Sequence, residues 1–156
     1  MLKRLLVIGY GLLSLLCLMA CGSSKPAAVT VDAEPLQPHK EQVWQLVAMR
    51  GKSLPARSGI ITLTFNPEAG TLSGHATCNN YGADCRLAYS ASSPEGYRYT
   101  VTVANLAGGN TLCPEADMNA EARYLALLPK ADALLLTPYN LTLFQKDKEI
   151  LRFELQ

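Results

Sequence analysis

The chain has 156 residues, with 14 basic and 13 acidic side chains and a formal net charge of +1 at pH 7. Its first twenty residues contain only two charges, Lys3 and Arg4, so the remainder is also close to neutral. A near-neutral chain without a basic stripe lacks the electrostatic footprint of a nucleic-acid-binding protein, and we exclude that class of partner. The length suits a leader followed by one domain that can bury a core.

The N-terminal segment has the build of a secretory signal peptide. Lys3 and Arg4 precede an apolar run, Leu5–Met19, which is shorter than the ~20 apolar residues of a typical membrane-spanning helix. The run ends in LMAC, which resembles the bacterial lipobox, with the small residue Ala20 directly before Cys21. The resemblance implies cleavage of a signal peptide 1–20, diacylglycerol on the Cys21 sulfur, and an acyl chain such as palmitate on the freed amine. An ordinary signal peptide with an incidental Cys21 is the alternative interpretation.

Lipidation at Cys21 determines the expected location, because two or more acyl chains anchor a protein stably to membrane lipid. Gly22 follows Cys21, and the Asp that retains lipoproteins in the inner membrane is absent from that position. We therefore expect a lipoprotein anchored in the outer membrane and facing the periplasm.

Residues 21–40 predict a lipidated cysteine and a flexible tether. The stretch from Gly22 to Lys40 contains three prolines, scattered charge and no lasting hydrophobic periodicity, which is typical of a linker. Residues 41–156 are then expected to form a single domain.

The domain begins with short β-rich segments that are separated by turn sequences. In IITLTF, for example, Ile61, Leu63 and Phe65 share one face and alternate with threonines. Before the helix we predict strands at 43–49, 60–65, 71–78, 85–90 and 97–106. After the helix, strands are predicted in the segments ALLLT, YNLTLFQ and EILRFEL.

One helix is predicted at about 114–128, where Pro114 suits a first helical position and acidic residues follow it in the first turn. The apolar stripe expected to pack on the core is Met118, Ala122, Leu125 and Leu128. Together the elements predict an α+β fold, a curved antiparallel β-meander or partial barrel of seven to eight strands with one inserted helix.

Four segments, in matching order, resemble the META domain family of heat-inducible bacterial envelope proteins: VWQLVAMRGK, LSGHATCNNYGAD, LCPEADMNAEARYLALL and LTLFQKDKEILRFE. The residues at matching positions are Trp44, Leu46, Gly51, Gly74, Cys78, Asn79, Tyr81, Cys113, Glu121 and Leu125. Three departures are Thr77, where a glycine is common, Gly109, where a threonine is common, and the extra Cys85. The resemblance implies a curved antiparallel sheet, an envelope location and a link to stress or drug tolerance, with no established catalytic activity and no cofactor.

The cysteines of the domain allow a metal site or a disulfide. His75, Cys78, Cys85 and Cys113 have the count of a tetrahedral zinc site, but His75 and Cys78 are three apart in an apparent strand and point to opposite faces. No C-x-x-C is present, and the periplasm oxidises thiols, so we expect no metal and a disulfide. The resemblance implies the pair Cys78–Cys113, and Cys78–Cys85 is the alternative.

Asn79, Asn80 and Tyr81 form the candidate ligand-contact site, in a predicted turn, because Asn and Gly tolerate a positive φ. Ser73 and His75 share a strand face, but nothing in the sequence identifies a third catalytic residue and no hydrolase motif is present. We therefore expect a non-enzymatic, lipid-anchored binding or interaction protein. A structural or chaperone-like partner of outer-membrane proteins is the alternative, and a hydrolase is less favoured. An envelope protein or a small apolar ligand is the expected partner of the domain.

Overall fold

The computed structural model describes residues 36–55 and 59–156, so the predicted signal peptide and Cys21 lie outside the described residues. The strands are β1 (Trp44–Met49), β2 (Lys52–Ser53), β3 (Thr62–Asn66), β4 (Thr71–Ala76), β5 (Asn79–Ser93), β6 (Gly96–Gly108), β7 (Ala133–Leu136), β8 (Asn140–Gln145) and β9 (Lys148–Leu155). The helix α1 spans Glu115–Leu125, and a short 3-10 helix spans Leu128–Lys130.

The sheet is an antiparallel meander that closes on itself. Each strand from β3 to β8 pairs with the next one along the chain, and β1 pairs with both β3 and β9. Eight strands therefore form a barrel, and β2 extends it as a short hairpin with the end of β1. The predicted meander or partial barrel with one inserted helix is confirmed. Closure removes the exposed edges that an open sheet would leave at its first and last strands.

Alternating side chains of these strands fill the barrel. In β1, for example, Trp44, Leu46 and Ala48 are buried while their neighbours in the strand are partly exposed, as the two-residue period of a pleated strand requires. The largest fully buried side chains are Trp44, Tyr124, Phe65, Phe153, Leu63, Leu72, Leu128, Leu134, Leu136, Leu141, Leu143 and Leu151. Burying such a side chain stabilises the fold by about 1.5–3 kcal/mol relative to leaving it exposed.

The strand order gives the barrel two distinct ends. At one end, which we call the helix end, lie the β1–β2 turn, the β4–β5 turn, the segment containing α1, and the β8–β9 turn. At the other, which we call the tether end, residues 36–43 enter the domain beside the β3–β4, β5–β6 and β7–β8 turns. The two ends differ in how the backbone of β5 is paired, and that difference defines the candidate site.

The helix packs on the barrel with a face that the sequence predicted in part. Leu125 and Leu128 of the expected apolar stripe pack on the core, whereas Met118 and Ala122 are exposed. Tyr124, which lay outside the stripe, is fully buried, and its ring packs edge to face on Phe153 with centroids 6.3 Å apart. The prediction was wrong in the first part of the helix because Glu121, a polar residue, lies on the half-buried inner side, where its carboxylate accepts hydrogen bonds from β5.

Leu36, which lies in the predicted tether, packs against the hydrophobic core. The hydroxyl of Tyr99 in β6 donates a hydrogen bond to its carbonyl oxygen. The packed domain therefore extends upstream of residue 41.

Within the described residues, none of the helices combines the length and the hydrophobicity needed to span a membrane.

Candidate functional site

The helix is held to the barrel by a group of contacts that we call the helix junction. It comprises Thr77, Cys78, Asn79, Thr111, Cys113, Asp117 and Glu121. The disulfide joins Cys78, in the β4–β5 turn, to Cys113, in the loop before α1, with a Cα–Cα distance of 6.0 Å. This is the pairing that the family resemblance implies, and it leaves Cys85 free and buried.

Asn79 is the polar centre of the helix junction. Its backbone N–H and its Nδ2 donate to the two carboxylate oxygens of Glu121, over 2.8 and 3.0 Å. Its Oδ1 accepts from the backbone N–H of Thr111 at 2.9 Å. Because Asn79 is only 7% exposed, these partners replace the water that its amide loses on burial.

Thr77 makes the tight turn between β4 and β5. It has a φ of +67°, in the left-handed region that a β-branched residue rarely adopts, and it occupies the position where the family commonly has glycine. Its Oγ1 donates to the carbonyl oxygen of Asp117 in α1 at 2.8 Å. The side chain that strains the turn therefore also ties the turn to the helix.

Next to the helix junction, two buried tyrosines, Tyr81 and Tyr124, are hydrogen-bonded through their hydroxyl groups. The Tyr81 hydroxyl donates to the carbonyl oxygen of Thr62 at 2.8 Å, and the Tyr124 hydroxyl hydrogen-bonds to it in turn. Gly74 lies opposite Tyr81, and a Cβ on it would collide with both the Thr62 carbonyl and the Tyr81 hydroxyl. Burial raises the pKa of Tyr81 and of Tyr124 well above the ordinary value, because it disfavours the charged phenolate.

These contacts change the interpretation of the candidate ligand-contact turn. Asn79, Asn80 and Tyr81 lie in β5, and the turn is made by Thr77 and Cys78 instead. Asn79 and Tyr81 are buried with protein partners, so they build the fold and present no free polar group to a ligand. Asn80 is exposed, and its Oδ1 lies 3.1 Å from Nδ1 of His75. That ring nitrogen of His75 is therefore engaged in a hydrogen bond with Asn80. In the described parts of the chain, no group of three or more His, Cys, Asp or Glu side chains is arranged to hold a metal ion.

A different surface emerges at the tether end, along the second half of β5. Residues 79–84 of β5 pair with β4, but β4 begins at Thr71, so the pairing stops there. The last contact is the N–H of Cys85, which donates to the Gly70 carbonyl at 2.7 Å. Because backbone directions alternate along a strand, the N–H and C=O groups of Leu87 and Tyr89 point to this same side. Among the described residues they have no backbone partner there.

An apolar cavity of about 440 Å³ lies beside this free edge. We call it the edge groove, and the residues that define it are Phe65, Pro67, Cys85, Leu87, Tyr89 and Tyr99. Gln37 and Pro38, from the chain that enters the domain, also border it. Tyr89 is half exposed and packs edge to face on the buried Tyr99, with ring centroids 5.8 Å apart. The groove thus combines an apolar wall with unpaired backbone groups.

Cys85 lies in the wall of the edge groove. Its side chain is 5% exposed, and burial raises the pKa of its thiol to about 11. The reactive form of cysteine, as a nucleophile and as a metal ligand, is the thiolate. A thiol with this pKa stays protonated at neutral pH and is therefore unreactive.

Sequence reasoning missed the edge groove, because the predicted strand 85–90 gave no indication of its neighbours. The unpaired edge follows from strand lengths that only the structure gives: β5 and β6 have 15 and 13 residues, whereas β4 and β7 have six and four. A hairpin that is much longer than the strands flanking it must leave part of its edges unpaired.

The comparisons with known proteins agree with this architecture. The family model of the META domain matches residues 34–156. No curated protein matches the chain significantly. An NMR structure of a protein from Burkholderia xenovorans is 21% identical, with a TM-score of 0.54, over 85% of this chain and 97% of that one. Another NMR structure is 19% identical, with a TM-score of 0.50, over 74% of this chain and 90% of that one. At these identities the two structures support the fold alone, while the family model covers most of the sequence, and the chain therefore belongs to the META domain family.

Proposed function

We propose that this protein is a lipoprotein of the bacterial outer membrane, anchored through acylated Cys21, whose META domain binds an extended segment of an envelope polypeptide. The observation that carries the binding proposal is the free edge of β5 at Leu87 and Tyr89, beside an apolar groove. The protein acts without catalysis in this proposal, and its partner is an outer-membrane or periplasmic protein whose state changes under envelope stress.

Strand addition is the mode of binding that the edge favours. An extended peptide paired with Leu87 and Tyr89 would satisfy their N–H and C=O groups, and its side chains would enter the groove on alternate residues. Natural proteins usually protect free edges with charges or proline, yet the segment from Leu87 to Ser93 contains neither. A β-bulge between Tyr89 and Ala91 limits the regular edge. The site is therefore short, and we expect weak, reversible binding.

Two further observations support an envelope role. The lipobox resemblance at Cys21 supports export of the chain, and the disulfide between Cys78 and Cys113 suits an oxidising compartment. Gln37 and Pro38 border the groove, so the tether joins the domain beside the proposed binding site.

A small apolar ligand in the same groove is the second candidate. Phe65, Leu87 and Tyr99 give the groove an apolar wall, and its volume lies in the range of about 300–1,000 Å³ that is usual for small-molecule sites. Such a ligand would leave the backbone of β5 unpaired, and this separates the two candidates experimentally.

Hydrogen exchange of the β5 amides tests the proposal directly. In the free protein we expect rapid exchange at Leu87 and Tyr89 and slow exchange at Arg86 and Ala88, whose N–H groups point to β6. A bound peptide strand should slow exchange at Leu87 and Tyr89, whereas an apolar ligand should leave both fast. A photo-crosslinking residue in place of Ala88 should capture the partner in intact envelopes. The same residue in place of Ala104, on β6, is the control. Equal crosslinking at the two positions would contradict a binding site at the β5 edge.

The anchor is tested separately by mass spectrometry of the mature protein. We expect an N-terminal Cys21 carrying diacylglycerol and an amide-linked acyl chain. Cys21→Ala should give uncleaved or mislocalised protein. A mature protein that begins at another residue without lipid would overturn the anchoring, and it would leave the β5 edge proposal intact.

A further inference from the structure

A second groove lies at the helix end of the barrel, whereas the edge groove lies at the tether end. The second groove is formed between the β1–β2 hairpin and the C-terminal part of α1, and its volume is about 430 Å³. We call it the cationic groove and define it by three apolar residues, Met49, Leu54 and Leu127, and three basic residues, Arg50, Lys52 and Arg123. We propose that the cationic groove binds single-chain amphipathic anions, molecules that carry one acyl or alkyl chain and one negatively charged head group.

The apolar residues provide a surface for the hydrocarbon chain. Leu127 is buried at 4% exposure, and Met49 and Leu54 are half-buried against the core. All three residues line the groove and also pack in or against the core. A chain lying on them would remove this surface from water, which stabilises binding by about 25 cal/mol per Å² of buried apolar area before the entropy cost of association.

The basic residues provide the complementary charge. Arg50, Lys52 and Arg123 are exposed, and among the described residues no acidic side chain lines the groove. The ion pairs found among the described residues are Lys40–Glu68 and Glu149–Arg152, so none of the three cations is neutralised by one. Guanidinium groups bind carboxylates and phosphates through paired, charge-assisted hydrogen bonds.

Arg50 occupies a backbone position that a different residue would fill more easily. It forms the two-residue turn of the β1–β2 hairpin with Gly51, and both have positive φ, +50° and +72°. Asn or Asp is favoured at the first position of such a turn, because an arginine there is strained. The turn therefore gives up some stability to project a cation beside the groove.

Two carbonyl groups at the nearby end of α1 are hydrogen-bonded within the chain. The N–H groups of Ala126 and Leu127 donate to the carbonyls of Ala122 and Tyr124. Arg123 also lies in the last turn, where a cation offsets the negative end of the helix dipole.

Equilibrium dialysis with labelled octanoate tests the proposal on the full chain, held in nanodiscs of neutral phosphatidylcholine and compared with empty nanodiscs. We expect saturable binding of octanoate, and weaker binding of both acetate, which lacks the chain, and octanol, which lacks the charge. Octyl phosphate shows whether a phosphate head group is accepted as well as a carboxylate. No saturable binding of either octyl anion overturns the proposal, as does acetate or octanol binding as tightly as octanoate.

A matched pair of triple variants assigns the binding to the cationic groove. Arg50→Gln, Lys52→Gln and Arg123→Gln together should weaken octanoate binding about tenfold or more, the loss expected for a charge-assisted hydrogen bond. Lys130→Gln, Lys146→Gln and Lys148→Gln remove the same charge from exposed positions of the same end of the barrel, and should change it less than about twofold. Equal weakening by both sets would mean general electrostatic attraction and overturn the site. Thermal unfolding of both variants checks that the fold is kept.

Discussion

The two halves of β5 show how one strand serves two purposes. Its first half, Asn79–Asp84, pairs with β4 on one side and β6 on the other, and Asn79 is tied to the helix through Glu121. Its second half, from Leu87 onward, pairs with β6 alone and borders the edge groove. The polar groups of the first half are used inside the protein, so those of the second half are the ones available to a partner. Two of the residues that carry the family resemblance, Asn79 and Tyr81, belong to the first half, and both are buried with hydrogen-bond partners inside the domain.

Removing the disulfide should have the largest effect on the helix junction. The double variant Cys78→Ser and Cys113→Ser should lose about 3–4 kcal/mol of unfolding free energy, because the bridge closes a loop with a sequence separation of 35 residues. Urea unfolding of the oxidised proteins measures the loss. Cys85→Ala is the matched control at a free, buried cysteine, and a similar loss in that variant would contradict the assigned role of the bridge.

Removing the Glu121 carboxylate should be the next largest disturbance. Glu121→Ala leaves the N–H of Asn79 without its acceptor, and its Nδ2 with only the Thr111 carbonyl at 3.4 Å, which costs about 1–3 kcal/mol for a buried donor. Glu115→Ala, at an exposed position in the first turn of the same helix, should cost less than about 1 kcal/mol. Denaturant unfolding measures the free energy lost by each variant. Equal losses would mean that Glu121 stabilises the helix through the helix dipole and not through its hydrogen bonds to Asn79.

Alkaline pH should weaken the domain through its buried tyrosines. The pKa of Tyr81 and of Tyr124 is raised by burial, so the folded protein keeps protons that the unfolded chain releases above its tyrosine pKa of about 10. Stability is therefore fully present below pH ~10 and falls above it, by about 1.4 kcal/mol per pH unit for each tyrosine. Unfolding free energies at pH 9 and pH 11, measured with Cys85→Ala to remove the thiol, check the sign. Tyr124→Phe should reduce the slope, and an unchanged slope would contradict the assignment.

The smallest stability change is expected at the free edge. Tyr89→Pro removes an N–H that has no backbone partner among the described residues, so relative to Tyr89→Ala it should change the unfolding free energy by less than about 1 kcal/mol. Ala88→Pro removes an N–H directed to β6 and breaks the ladder there, so it should cost about 1–3 kcal/mol. Thermal unfolding gives the comparison, and the crosslinking of a partner should fail with Tyr89→Pro and persist in part with Tyr89→Ala. A large stability loss with Tyr89→Pro would show that the edge is paired within the protein.

Much of the fold could be predicted from local pattern. The alternation in β3 predicted its buried face correctly, since Ile61, Leu63 and Phe65 are all buried. The helix was predicted at 114–128 and is found at Glu115–Leu125, followed by the 3-10 turn. The candidate turn at Asn79–Tyr81 failed because composition suggested the residues that tolerate positive φ, whereas the structure places that strain on Thr77. The local preference of Asn and Gly for turns was overridden there by the tertiary contacts of Thr77 and Asn79 with the helix.

By itself, the sequence determined the class of fold, the order of the elements and the export and lipidation expectations, because these depend on short-range periodicity, turn chemistry and contiguous motifs. Only the tertiary structure decided the closure of β1 on β9, the inner face of α1 and the free edge of β5. Each of these depends on which distant segment meets which. The pairing of a strand is a property of its neighbours, so an edge such as that of Leu87 and Tyr89 leaves no mark in its own residues.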